Sequence, residues 1–119
     1  TQHGMKEERQ IMNYQTHIHK FAPLMGQLYV QMGIGNFICE EFTGLLKGAE
    51  TGDFKKLDVM HHLLSGYKSL FSERTLDSIE ICRKNCGGAG YSALSGLPNL
   101  VKNYSPVPTY EGDNTVMLL

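Results

Sequence analysis

Leu57-Asp58-Val59-Met60-His61-His62-Leu63-Leu64-Ser65-Gly66-Tyr67, with its continuation to Cys86-Gly87, sets the architecture. Apolar or small residues recur at Leu57, Met60, Leu64, Tyr67, Phe71, Thr75, Ile79, Cys82 and Cys86, in steps of three and four. That spacing is one face of a long helix. Gly87 supplies the stop, and Asp53 in Thr51-Gly52-Asp53 is the candidate N-cap. Upstream, Ile11, Tyr14, Ile18, Phe21, Met25, Leu28 and Met32 repeat the pattern, which resumes at Ile38, Phe42 and Leu45. This predicts a first helix from about Ile11 to Lys47, on the order of 50 Å long. Pro23 is expected to kink it, and Gly33 and Gly35 to weaken it or admit a close neighbour. Lys47-Gly48 is the expected stop. The predicted fold is all-α: two long antiparallel helices in a helical hairpin, part of a helical bundle.

Composition bounds what such a chain can do. Its 119 residues make one domain. Lysine plus arginine is 11 and aspartate plus glutamate 12, a net charge of −1 that excludes a charge-driven nucleic-acid binder. The apolar fraction of 41% suits a packed core, and no apolar run is long enough for a membrane span. Thr1-Gln2-His3-Gly4 turns polar, which predicts no signal peptide. Three cysteines argue against a disulfide scaffold and fit a reducing interior.

Beyond Gly87 the character changes. Gly87, Gly88, Gly90 and Gly96 lead into Pro98, Pro106 and Pro108. One short helix is expected between Leu94 and Tyr104, then an extended approach, forced by the two later prolines, into Thr109-Tyr110-Glu111-Gly112. Asp113 or Asn114 can cap a last helix whose apolar run Val116-Met117-Leu118-Leu119 is cut one turn in, so a piece of a longer protein is expected.

Several chemistries are excluded by spacing. His17 and His19 point to different sides of a helix, as do His61 and His62, and no His-Glu-x-x-His pattern occurs, so no metal site is expected. Cys82 and Cys86 share a face and are read as small apolar residues packed on the first helix. Lys6-Glu7-Glu8-Arg9 and Glu40-Glu41 read as solvated faces. The run Cys86-Gly87-Gly88-Ala89-Gly90-Tyr91 follows a helix rather than opening one, which is not the order of a nucleotide-binding glycine loop; by itself it is a helix stop and tight turn that leaves bare backbone accessible. Glu111, between the proline-shaped segment and a helix start, is either a rigidly presented carboxylate or a helix-start acid favoured by the dipole.

The joint motif Cys86-Gly87-Gly88-Ala89-Gly90-Tyr91-Ser92, Ser95-Gly96-Leu97-Pro98 and Thr109-Tyr110-Glu111-Gly112-Asp113-Asn114-Thr115-Val116-Met117 closely resembles the acyl-CoA oxidases, flavoenzymes of the acyl-CoA dehydrogenase superfamily. Asn13-Tyr14-Gln15-Thr16, Phe21-Ala22-Pro23-Leu24 and Leu64-Ser65-Gly66-Tyr67-Lys68-Ser69-Leu70 are similar more loosely. The resemblance implies that residues 1–119 are part of the C-terminal helical domain, cut within the helix after Glu111. It implies a peroxisomal, FAD-dependent enzyme that desaturates a fatty acyl-CoA to the trans-2-enoyl form and passes electrons to O2, giving hydrogen peroxide. Family members are dimers or tetramers, which implies a homodimer for the full-length enzyme. Carried over by position, Glu111 matches the base that takes the α-proton, and its N–H a donor to the thioester carbonyl. Gly87 and Gly88 match a turn near the FAD adenine of the partner subunit. Asp113, Asn114 and Thr115 match a helix start near the FAD diphosphate. Tyr110 and Gly112 match substrate-site residues, Tyr110 lining the acyl pocket. The family often carries histidine where this chain has Ala89, and Gln-Phe-Gly where it has Gln2-His3-Gly4. The alternatives are an acyl-CoA dehydrogenase that uses an electron-transfer flavoprotein, and a non-catalytic helical assembly module.

Overall fold

The computed structural model of the chain describes residues 9–119. It is helical, with no strand among the described residues. After a 3-10 turn at Ile11–Asn13, α1 runs Gln15–Ala49 and α2 runs Leu57–Lys84. Further 3-10 turns at Gly87–Gly90 and Ala93–Ser95 lead to α3 (Leu97–Tyr104), and α4 is Asn114–Met117. The expected hairpin is present: α1 packs on α2, and α3 and α4 pack on α2 in turn.

α1 continues through Pro23. Proline leaves the His19 carbonyl without its intrahelical donor, but both residues are exposed and water can replace it. Gly35 does admit a neighbour: a Cβ there would lie 3.1 Å from Tyr67 Oη, while nothing lies within 4 Å at Gly33. α2 does not begin at Asp53. The Asp53 N–H donates to the Gly48 carbonyl at 3.0 Å, which makes it the close of α1; Lys56 occupies the N-cap position without a side-chain cap. α2 also ends earlier than expected, at Lys84, with Asn85 donating back to the Ile81 and Cys82 carbonyls.

Along the first half of α1 the inward face is not its most apolar one. Ile18, Met25, Leu28 and Met32 are each roughly half exposed. The positions turned inward include Tyr14, His17, Phe21, Leu24, Gln27 and Gln31. The seam with α2 is therefore partly polar: Gln27 Nε2 donates to Ser78 Oγ at 3.2 Å and Gln31 Nε2 to Thr75 Oγ1 at 3.4 Å. Ile38, Leu45 and Met60 form the buried apolar cluster, with Tyr67 against it, and Tyr67 meets Phe71 edge-on at 4.6 Å. The molecule measures 72 × 25 × 24 Å with a radius of gyration of 19.9 Å. A compact chain of this length would have about 13–14 Å. The elongation is what leaves the apolar flanks uncovered.

Ion pairs decorate the outside. Glu41, on a face read as merely solvated, accepts from Lys56 Nζ at 2.9 Å, and the hydrogen bond raises the lysine pKa. In the charged cluster, Lys6, Glu7 and Glu8 lie outside the described residues, as does Gln2-His3-Gly4; Arg9 donates to the Asn13 carbonyl at 2.8 Å. No helix among the described residues is long and apolar enough to cross a membrane.

Candidate functional site

α2 offers two faces. One carries Met60, Tyr67, Thr75 and Cys82 toward α1; the other carries Ser65, Lys68, Ser69 and Ser72, which helical spacing places together. Ser65, Ser69 and Ser72 are buried. Their small side chains let the segment from Ser105 to Met117 come close to α2, and Lys68 reaches over it.

That segment is not extended. It folds as consecutive turns: the Pro106 carbonyl accepts from the N–H groups of Thr109 (2.9 Å) and Tyr110 (3.0 Å), and the Pro108 carbonyl from the Asn114 N–H (3.0 Å). The prolines set φ for turns instead of a strand-like approach, and even Ser105, just before Pro106, keeps helical angles. Pro108 is buried.

At the end of these turns stands Glu111 with φ +54°, the one non-glycine residue of positive φ among the described residues. Left-handed backbone costs an L-residue about 1–2 kcal/mol, and such strain persists only where the surroundings hold it. Gly112 follows with φ +100°, where a Cβ would also strike Met117 Sδ at 2.6 Å. Glu111 is exposed, as is Tyr110 beside it. Among the described residues, the Glu111 N–H makes no backbone hydrogen bond. The elbow thus presents a carboxylate and a free N–H side by side.

The elbow is tied to α2 by polar contacts. Lys68 Nζ donates to the carbonyl oxygens of Pro108 (3.1 Å) and Gly112 and to Asn114 Oδ1 (2.9 Å). Asn114 Nδ2 donates to Ser72 Oγ (3.0 Å) and Glu73 Oε2 (3.2 Å), and the Ser72 hydroxyl donates to Asn114 Oδ1 at 3.2 Å. Of the two cap candidates, Asp113 is the cap: its Oδ1 accepts from the Thr115 N–H at 2.9 Å, while the Asn114 side chain turns to α2.

The glycine turn lies at the C-terminal end of α2. Gly87 has φ +56° with open space around it, and Gly88 is exposed too. Gly90 is buried, and a Cβ there would lie 2.1 Å from the Arg83 carbonyl oxygen. Arg83 Nη1 donates to the Gly90 carbonyl at 3.1 Å, and Arg83 Nε to Glu80 Oε2 at 2.6 Å. That hydrogen bond is the main cause that lowers the Glu80 carboxyl to about 2.

The structure therefore brings Tyr110, Glu111, Gly112, Asp113, Asn114 and Thr115 onto one elbow. It puts Gly87 and Gly88 on a separate turn. Of the cysteine pair, Cys82 is half-buried and burial raises its thiol pKa, whereas Cys86 is exposed: its Sγ donates to the Cys82 carbonyl at 3.3 Å instead of packing on α1. No cluster of metal-ligating side chains occurs among the described residues.

Residues 1–119 match the family model described as the acyl-CoA oxidase C-alpha1 domain. The chain belongs to the acyl-CoA oxidase C-alpha1 domain family. It is 40% identical over 112 residues to Homo sapiens peroxisomal acyl-coenzyme A oxidase 1, a match covering 94% of this chain and 17% of that protein. It is 41% identical over 112 residues to the putative peroxisomal acyl-coenzyme A oxidase 1.2 of Arabidopsis thaliana, with the same coverage. The solved structure of Arabidopsis thaliana acyl-CoA oxidase 1 matches with a TM-score of 0.87 and 39% identity over 98% of this chain and 18% of that one. The chain thus spans less than a fifth of the length of these relatives.

Within this acyl-CoA oxidase domain, Lys68 is the residue that sequence reasoning missed. Its spacing marks it only as one more polar position of an amphipathic helix. The signal that could have found it is its place beside Ser65, Ser69 and Ser72 on a face too small and polar to be core.

Proposed function

We propose that this chain is the base-bearing helical domain of a peroxisomal, FAD-dependent acyl-CoA oxidase, acting on a fatty acyl-CoA with O2 as oxidant within a homodimer. The observation that carries the reading is Glu111: an exposed carboxylate on a left-handed elbow clamped to α2, in a chain of the acyl-CoA oxidase C-alpha1 domain family. The names of the relatives support the peroxisomal setting.

An acyl-CoA α-proton is weakly acidic, so removing it takes a positioned base and stabilisation of the charge left on the thioester oxygen. Glu111 takes the proton. Its N–H donates to the thioester carbonyl, where charge develops. Tyr110 lines the acyl path, and the acyl chain strips water from the carboxylate, which strengthens it as a base. The exposed backbone at Gly87 and Gly88 fits close approach by the adenine end of FAD from a partner subunit. The helix start at Asp113, Asn114 and Thr115 faces the diphosphate region, with the Thr115 side chain exposed there. When bound, FAD supplies the acceptor for the β-hydride and returns the electrons to O2 as hydrogen peroxide.

The test is Glu111→Gln in the full-length enzyme, which keeps size and polarity but cannot take the proton. Anaerobic flavin bleaching by acyl-CoA should slow at least about a hundredfold, the low end for a general base, with FAD content and acyl-CoA binding near wild type. Bleaching at the wild-type rate would remove Glu111 from the base role.

A further inference from the structure

We propose that Lys68 is a positioning residue for the Glu111 carboxylate: its ammonium holds the elbow in the one backbone conformation from which the base can work. The inference rests on the reading of Glu111 as base. An ammonium has three N–H donors. Those of Lys68 meet three acceptors, the Pro108 and Gly112 carbonyls and Asn114 Oδ1, which bracket Glu111 on both sides in sequence. A glutamate has no preference for left-handed φ, unlike asparagine or aspartate, so the conformation must be held from outside.

The holding group is well anchored. Lys68 rises from the middle of the longest stretch of regular structure that touches the elbow, and it is only partly exposed. Its side-chain acceptor, Asn114, is fixed in turn by Ser72 and Glu73. Carbonyl acceptors gain from a charged donor more than from a neutral one, roughly twofold in strength. Without it, the Pro108 and Gly112 carbonyls lose their shared donor, and the turn at residue 111 is free to relax toward ordinary negative φ. The carboxylate then swings away from the α-carbon, and a displacement of about 1 Å can cost about a hundredfold in rate.

The experiment uses the full-length holoenzyme with palmitoyl-CoA as probe. Lys68→Met should slow anaerobic flavin bleaching about tenfold to a hundredfold, while the acyl-CoA dissociation constant stays within about twofold. Hydrogen exchange should rise in peptides spanning residues 105–117 and stay unchanged in α1. In a Glu111→Gln background the same substitution should change the residual rate by less than about twofold, because a residue that acts through the base has nothing left to position. If Lys68→Met does not incorporate flavin, Lys68→Gln, whose amide keeps two donors, should show a several-fold loss of the same kind. A Lys68 variant bleaching like wild type, or an equal loss with and without Glu111, overturns the positioning role alone. A fast Glu111→Gln enzyme overturns the base reading and this inference with it.

Discussion

The helix pair and the turns beyond it are held by opposite means. α1 and α2 meet along a seam with three buried apolar side chains and glutamine–hydroxyl bonds, while the apolar flank of α1 at Ile18, Met25, Leu28 and Met32 stays about half exposed. The segment from Asn85 to Met117 is built of turns and short helices, yet it is pinned to α2 by Arg83 at one end and Lys68 at the other. The long elements, which look like the scaffold, need surfaces from elsewhere to bury their stripes. The turns, which look loose, are fixed by contacts within the chain. Regularity and self-sufficiency are different properties, and here they fall in different regions.

The largest expected effect follows from taking the helix pair out of its surroundings. The isolated 119-residue chain should self-associate or lose fixed tertiary packing, and should retain no flavin. Sedimentation velocity with near-ultraviolet circular dichroism checks this. A strictly monomeric species with a cooperative melt would break the contrast, because it would show the seam to be enough.

Next in size is a strike at the pinned turns. Gly90→Ala places a Cβ 2.1 Å from the Arg83 carbonyl oxygen, a backbone atom that cannot swing aside. A loss of about 3 kcal/mol or more is expected in denaturant unfolding of the full-length protein. Gly88→Ala, whose nearest neighbour is Tyr91 Cε1 at 3.9 Å, should cost under about 1 kcal/mol in the same measurement. Equal losses would mean that the turn is not packed against α2.

A smaller effect is expected in the seam. Gln31→Leu removes one hydrogen bond to Thr75 but adds apolar surface where α1 meets α2. The net change should lie within about 1 kcal/mol of zero. A loss of several kcal/mol would show the polar seam to be the main tie between the helices.

The smallest concerns Glu80, which holds Arg83. Its folded-state pKa, about 2, lies below the ordinary 4.5. Its contribution is therefore fully present above pH 4.5 and fades as the pH falls toward 2. The thermal midpoint of Glu80→Gln should sit slightly below that of wild type at pH 7, and the gap should close below pH 4.5. A gap independent of pH would assign the role of Glu80 to packing alone.

The sequence made the two long helices legible because three-and-four spacing survives whatever the partner is. Toward its C-terminal end the predicted stripe of α1 is the buried one, at Ile38 and Leu45, but in the first half periodicity reports the most apolar stripe while α2 meets the neighbouring one, through Gln27 and Gln31. Pro106 and Pro108 misled for a related reason: fixed φ suits a turn as well as an extended chain, and only the carbonyl acceptors at 106 and 108 decide between them. Asp113 as a cap was readable from residue type. The importance of Glu111 came from a family resemblance. Its left-handed backbone was invisible, since glutamate gives no local cue beyond the glycine after it. Lys68 was invisible as well, because its partners lie some forty residues further along the chain.

α2 holds the elbow through Lys68 and the glycine turn through Arg83, about fifteen residues apart, or roughly 22 Å along the axis. A helix is stiff along its length, so this separation is counted out in residues, as on a ruler. Exchanging a side chain between the two marks leaves the ruler intact. Inserting or deleting one residue lengthens or shortens it by about 1.5 Å and turns one end about 100° relative to the other. Evolution should therefore be free with the letters at the exposed positions of this interval and strict with their number.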